Sequence, residues 1–354
     1  MVSAALDRRA RLLRALARLP VDRPPIICTG GSMSGVPAEV VIRSGYCLPA
    51  AHSDAAAMAG LALEAARLTG FESVGVPLCT TVEAEAFDAV IDLGDEATEA
   101  RVVREPYERC ADVPRIPPHE RLQRGRIGIS VAAVRQLTAT ADDLPIIGNL
   151  IGPVSVAAAA VRPDAFFREL RRRPEDVRAL VEHVTDFEIG FARELVAAGA
   201  DVIAIHEDTV TPALAGPALF ERCVLPHLQR LIDAIAQTGA RVLVHMCGRL
   251  DRVEAQLRTL RCDGFIPDAA VSLQYFAQAF PDLAVVGNVS TFLMHQGEPS
   301  QIANVGARLA RGGVDVVSPA CGLASATSLA NIAALTDAVT GPVAVLSQEG
   351  TVRA

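Results

Sequence analysis

From Leu144 onward the sequence repeats one unit: a short Val/Ile/Leu run, a polar or glycine tip, then a helical pattern. The apolar runs fall at residues 145–150, 201–205, 241–244, 264–267, 283–286 and 314–317. Helical patterns follow at 173–198, with Pro174 at the start and Gly199 closing it, and at 217–237, 250–260, 272–280, 301–311 and 328–339. Strands alternating with helices predict parallel βαβ units, and strand bodies that are apolar throughout are covered on both faces. Two earlier runs, at 24–28 and 71–77, complete the set. The strand centres are then Ile26, Val74, Ile146, Ile203, Val244, Phe265, Val285 and Val316. Eight units in 354 residues fit a (β/α)8 TIM barrel read as a single domain over 1–354. An N-terminal helical extension covers residues 3–19, and a Pro-rich, acid-rich excursion is inserted near residues 80–126. The runner-up is a doubly wound open sheet. Against it, the glycines from Gly30 to Gly35 lack the spacing that opens a helix on a dinucleotide.

The composition narrows the function. A net charge of −8 argues against a nucleic-acid protein, which needs a basic surface for phosphate. Trp is absent and aromatic residues are few, so stacked recognition of bases or sugars is not expected. No apolar run approaches the roughly 20 residues that cross a bilayer, and the N-terminus shows no apolar signal core, so a cytoplasmic location is expected. The eight cysteines then read as reduced thiols, available as metal ligands or nucleophiles.

In a barrel the chemistry sits at the C-terminal ends of the strands. Polar residues fall there: Asn149, Glu207 and Asp208, His245 and Cys247, Asp268, Asn288 and Cys321. The run ending His245-Met246-Cys247-Gly248 places an imidazole and a thiol two residues apart, on one side of an extended strand. Cys321 ends a later strand in the same way, also before a glycine. One nitrogen and two sulfurs suit Zn2+, and three protein ligands leave a fourth position open, as in catalytic sites. Glu207 and Asp208 follow a strand: either they cap the next helix, or Glu207 supplies a fourth ligand or a general base. His206 faces away from them and reads as structural. Cys28, Cys79 and Cys262 read as buried thiols rather than ligands. The turn Gly30-Gly31-Ser32 binds an anion through its amides or is simply a tight turn. Asn288 either binds a ligand or caps.

With these residues in view, the chain resembles the methylcobalamin:coenzyme M methyltransferases of the uroporphyrinogen decarboxylase superfamily. The resemblance rests on His245-Met246-Cys247-Gly248 with Cys321, on Gly199 to Ile203, on Phe220 and Val224-Leu225-Pro226, and on Gly287-Asn288-Val289. It covers about Gly148 to Val339 and extends more thinly to Thr29-Gly30-Gly31-Ser32-Met33. It implies a (β/α)8 barrel in which His245, Cys247 and Cys321 hold zinc. It also implies transfer of a methyl group between a methylcorrinoid and an acceptor, a thiol or tetrahydrofolate. The first loop carries no Arg, which sets the chain apart from the porphyrinogen-decarboxylating branch. The chain has no Asp-x-His-x-x-Gly segment of the corrinoid-ligating kind, so methylcobalamin must arrive free or on a separate corrinoid protein. On this reading Gly30, Gly31, Ser32, Asn149 and Asn288 contact the cofactor, and Glu207 and Asp208 are catalytic. A tetrapyrrole decarboxylase and a non-catalytic barrel that binds a corrinoid protein are the alternatives.

Overall fold

The computed structural model describes residues 5–30, 36–209 and 211–341. Gly31 and Ser32 lie outside the described residues. The strands are β1 (Val74–Val76), β2 (Val90–Asp92), β3 (Arg101–Arg104), β4 (Ile146–Ile151), β5 (Val202–His206), β6 (Arg241–Met246), β7 (Gly264–Pro267) and β8 (Ala284–Val285). Six of them form one parallel sheet in the order β1-β4-β5-β6-β7-β8, while β2 and β3 pair as an antiparallel hairpin in the excursion.

Two further extended segments link the sheet's edges. Val286 bridges Val316, Val317 bridges Ile26, and the amide of Glu72, just before β1, donates to the Ile26 carbonyl at 2.8 Å. The expected first and last strands are thus single bridges rather than ladders. Proline is the physical reason at the first: Pro24 and Pro25 have no N–H to give, so pairing there is confined to Val317 N to Pro25 O at 2.9 Å and Ile27 N to Val317 O at 3.0 Å.

A period of two sorts the strand residues into two cores. Ile27, Ile147, Val202, Ala204, Leu243, Ile266, Ala284, Val286 and Val316 fill the barrel interior. The alternate positions, among them Val74, Ile203, Val242, Val244 and Phe265, pack outward on the helices. The helix Arg8–Leu16 buries Leu12, Ala15 and Leu16 in the interior cluster. Arg9 fixes it beneath the strands, donating to the Leu144 carbonyl at 3.0 Å and forming an ion pair with Asp201 at 3.1 Å, residues that precede β4 and β5. Buried Glu72 adds Arg11 at 2.9 Å and Arg23 at 2.6 Å, tying the same helix to the approach to β1.

The helical patterns hold with changes. The helix Pro174–Ala198 closes at Gly199 with φ 118°. Helices Pro153–Ala160 and Pro163–Arg172, absent from the sequence reading, fill the stretch before it. The expected helix over 217–237 begins earlier, at Pro212, breaks at Gly216 (φ 67°) and passes through a π-turn, Phe220–Val224, before Leu225–Ala236. The expected helix over 250–260 shrinks to Asp251–Val253 and Glu254–Leu257. In the excursion, fully buried Arg121 lies over the Phe87 ring at 3.9 Å and donates to the Ala86 and Pro114 carbonyls at 2.6 and 2.9 Å. Among the described residues no helix is long and apolar enough to cross a membrane.

Candidate metal centre

The interior phase of each strand carries apolar residues low in the barrel and polar ones at its mouth. In β6 the interior side chains are Leu243 and His245, continued by Cys247. In β5 they are Val202, Ala204 and His206, continued by Asp208, and in β4 Ile147 is followed by Asn149. Because parallel neighbours in register face the same way, His206 lies beside His245, its Cα partner, with ring centroids 5.7 Å apart.

His245 Nε2 stands 3.4 Å from Cys247 Sγ, and Cys247 Sγ stands 3.8 Å from Cys321 Sγ. All three donor atoms lie within 4.8 Å of one another. A tetrahedral zinc with Zn–S near 2.3 Å and Zn–N near 2.05 Å has an S···S edge of about 3.8 Å and an N···S edge of about 3.6 Å. The donor set and its spacing therefore fit zinc. His245 is buried, and its Nδ1 lies 3.0 Å from the Ile266 carbonyl. That carbonyl can only accept, so Nδ1 carries the proton and Nε2 turns its lone pair to the thiols. The Cys321 thiol is pushed down, chiefly by the Cys247 thiol donating to it and then by His245, while the same bond and burial push Cys247 up. His245 is pushed up in spite of its burial, by Cys321 and Asp208.

Glu207 and Asp208 part ways. Asp208, in phase with His206, brings Oδ1 to 3.5 Å from His245 Nε2 and 3.7 Å from Cys247 Sγ. Glu207 points out of the barrel, to the N-terminus of helix Pro153–Ala160. Its Oε2 accepts from the Val154 amide at 3.1 Å and its Oε1 from the Ser155 hydroxyl. Gly152 makes room, since a Cβ there would stand 2.4 Å from Glu207 Oε2. The Thr209 amide donates to the same Ser155 oxygen at 3.0 Å, so both neighbours of Asp208 are fixed on one serine. Burial pushes the Glu207 carboxyl up to about 7, against its bonds to Ser155 and Val154.

The other expected contacts form a polar layer below and beside the cluster. Asn149 is buried, donating to the Thr29 carbonyl at 2.9 Å while its Oδ1 lies 3.1 Å from His206 Nε2. Burial chiefly pushes His206 well down, so it is neutral. Gly30, with φ 90°, packs against Asn149, where a Cβ would stand 2.8 Å from Nδ2. Asn288 is half-buried and donates from Nδ2 to the Asp268 and Val271 carbonyls at 2.8 and 2.9 Å. Asp268 in turn accepts from the Gly248 amide at 3.0 Å, fixing the turn that follows Cys247. His206 is structural as expected but faces the barrel interior with Asp208 instead of away from it, and Ser155 was missed in the sequence. The signal for His206 was available, because strands ending at His206 and His245 align once their starts do. Ser155 lies in a helix with no apolar period to mark it.

A parallel barrel that gathers polar side chains, among them a His-Cys-Cys cluster, at its mouth is the form of an enzyme. Comparison with known proteins agrees on the lineage. The model of the family described as "Uroporphyrinogen decarboxylase (URO-D)" matches residues 7–341, and the chain belongs to that family. It is 31% identical over 326 residues to a methylcobamide:CoM methyltransferase, MtbA, of Methanosarcina acetivorans, covering 92% of this chain and 95% of the relative. It is 26% identical over 294 residues to a uroporphyrinogen decarboxylase of Myxococcus xanthus, covering 79% and 80%. Among solved structures it is similar to a methyltransferase from Methanosarcina mazei, with a TM-score of 0.86 and 29% identity over 94% of this chain and 98% of that one.

Proposed function

We propose that this chain is a zinc-dependent corrinoid methyltransferase that moves a methyl group between a methylcorrinoid and a thiol. The observation that carries the reading is the His245–Cys247–Cys321 cluster at tetrahedral-edge spacings. Relatives named methylcobamide:CoM methyltransferase, matched over nearly their whole length, support it. His245 Nε2 and the two thiolates would hold the ion. Zinc bound there favours the thiolate form of an incoming thiol, which is a competent nucleophile toward an activated methyl group.

The chain's own residues supply the remainder. Asp208, flanking the His245–Cys247 edge, takes the proton the thiol gives up. Glu207 acts through Asp208: bonded to Ser155 together with Thr209, it holds the loop that presents the acid. Asn149 and His206 set the position of His245 from below. Gly30 and Asn149 belong to the floor, while half-buried Asn288, its Nδ2 taken by two carbonyls, would meet a ligand through Oδ1. In transfer to the acceptor, sulfur forms the S–C bond while both electrons of the cobalt–carbon bond stay with the corrinoid. That corrinoid comes free or on a separate protein.

The test combines metal analysis with spectral following of methylcobalamin demethylation over coenzyme M, other thiols and tetrahydrofolate. About one zinc per chain is expected, lost in Cys247→Ser and Cys321→Ser together with thiol methylation. A metal-free protein with full activity refutes the zinc assignment. Carbon dioxide released from a porphyrinogen, with no demethylation of methylcobalamin, refutes methyl transfer.

A further inference from the structure

A second cysteine at the barrel mouth stands apart from the metal cluster. Cys79 follows β1 and is 7% exposed, much like Cys28 at 6% and Cys262 at 9%. Its surroundings are cationic. Arg126, itself buried, donates from Nη1 to Cys79 Sγ at 3.4 Å and from Nη2 to the Thr81 hydroxyl at 2.8 Å. The Thr81 hydroxyl also lies 3.4 Å from the sulfur. His52 faces the thiol from the end of helix Leu48–Ala51. It is 1% exposed, and among the described residues no polar group other than the Cys79 thiol engages its ring nitrogens.

Cys79 and His52 line one cavity with Thr80, Glu96, Glu99 and Ser325. A buried imidazole that no other polar group holds, facing the thiol from the wall of the same cavity, is free to serve that thiol. The remaining charged groups about the thiol are Glu83, buried on helix Val82–Ala86, and Glu85, which Arg126 Nε bonds at 2.7 Å.

We propose that Cys79 is a modification site: a thiolate that a small, uncharged peroxide reaches through this cavity and converts to sulfenic acid. Sulfur attacks one peroxide oxygen, the S–O bond forms and the O–O bond breaks. Sulfur loses two electrons and the peroxide gains them. The departing hydroxide takes its proton from solvent by way of His52. The Arg126 guanidinium holds the sulfur as thiolate, which is the nucleophilic form. Although burial alone raises it, the Cys79 thiol is brought down to about 6 by His52, Arg126 and Thr81. Burial instead pushes Cys28 and Cys262 up to about 12. Glu96 and Glu99 on the cavity wall disfavour anionic oxidants. Ser325, from the loop after Cys321, shares the cavity, so an oxygen added to Cys79 occupies space beside the metal-binding loop.

The test needs no knowledge of the substrate. The metal-loaded protein at pH 7 is exposed to equimolar hydrogen peroxide with dimedone as sulfenic-acid trap, and each cysteine peptide is quantified by mass spectrometry. The difference in thiolate fraction, discounted for the lower intrinsic nucleophilicity of the weaker base, gives an advantage of about a hundredfold for Cys79 over Cys28 and Cys262. His52→Ala and Arg126→Gln each reduce it about tenfold. Should Arg126→Gln fail to fold, the wild-type ratio and the His52 variant decide. Equal trapping at the three cysteines, or trapping at Cys247 and Cys321 with none at Cys79, overturns the proposal.

Discussion

Substituting Glu207 by Gln tests the division of labour between the two neighbouring acids, because it leaves shape intact and removes one ionisation. In the folded chain burial pushes this carboxyl from 4.5 to about 7. Between those two pH values the native state keeps the proton and the unfolded chain has lost it. Stability therefore falls as pH rises through the window, by about 1.4 kcal/mol per unit and about 3 kcal/mol in all. Unfolding entropy of roughly 2.1 cal/mol/K per residue over 354 residues comes to about 0.7 kcal/mol/K, so the shift in Tm is about 4 °C. Glu207→Gln carries no such titration: relative to wild type, its Tm rises by about that amount from pH 4.5 to pH 7.5. Buried His206 and His227, pushed down, titrate in both proteins and cancel in the difference. Scanning calorimetry in steps of half a pH unit measures it. The amide still accepts from Val154, so methyl-transfer turnover should persist. Parallel Tm-versus-pH curves for the two proteins refute the assignment of a buried, proton-holding Glu207.

Asp208→Asn keeps the side-chain shape but cannot take a proton; turnover with a thiol acceptor is expected to fall by about 10²- to 10⁴-fold with zinc content unchanged, read by steady-state kinetics beside metal analysis. Gly75→Ala places a Cβ 1.7 Å from the Thr29 carbonyl oxygen, a backbone atom that cannot swing away. The variant should lose about 3 kcal/mol or more, measured as a lower urea midpoint.

The barrel and the gathering of His245, Cys247 and Cys321 were legible because each rests on a periodic signal. Apolar runs with polar tips mark strand ends whatever the tertiary context, and His245 and Cys247 share a face by strand geometry alone. The same period of two separates Asp208 from Glu207, but only once the strand's phase is known from its neighbours. His206 is structural, as read, but it faces the same way as Asp208 rather than away from it, and its register with His245 is something no local pattern states. Pro153–Ala160 escaped because seven small apolar residues and one serine show no amphipathic face, and all but Ala159 are buried. Cys79 was legible as a buried thiol, yet its chemistry depends on Arg126 and His52, which are distant in the chain and meet only in the fold.

The helix Arg8–Leu16 has a kinetic consequence. Among the described residues, Leu12, Ala15 and Leu16 stopper the barrel at its base, which leaves the mouth above His245 as the way in. For the methyl transfer proposed above, both reactants would have to meet at the same mouth, and the bulkier one, once seated, would bar the way to the smaller. Turnover would then be ordered: acceptor first, corrinoid second, with the methylated product leaving only after the corrinoid has lifted away.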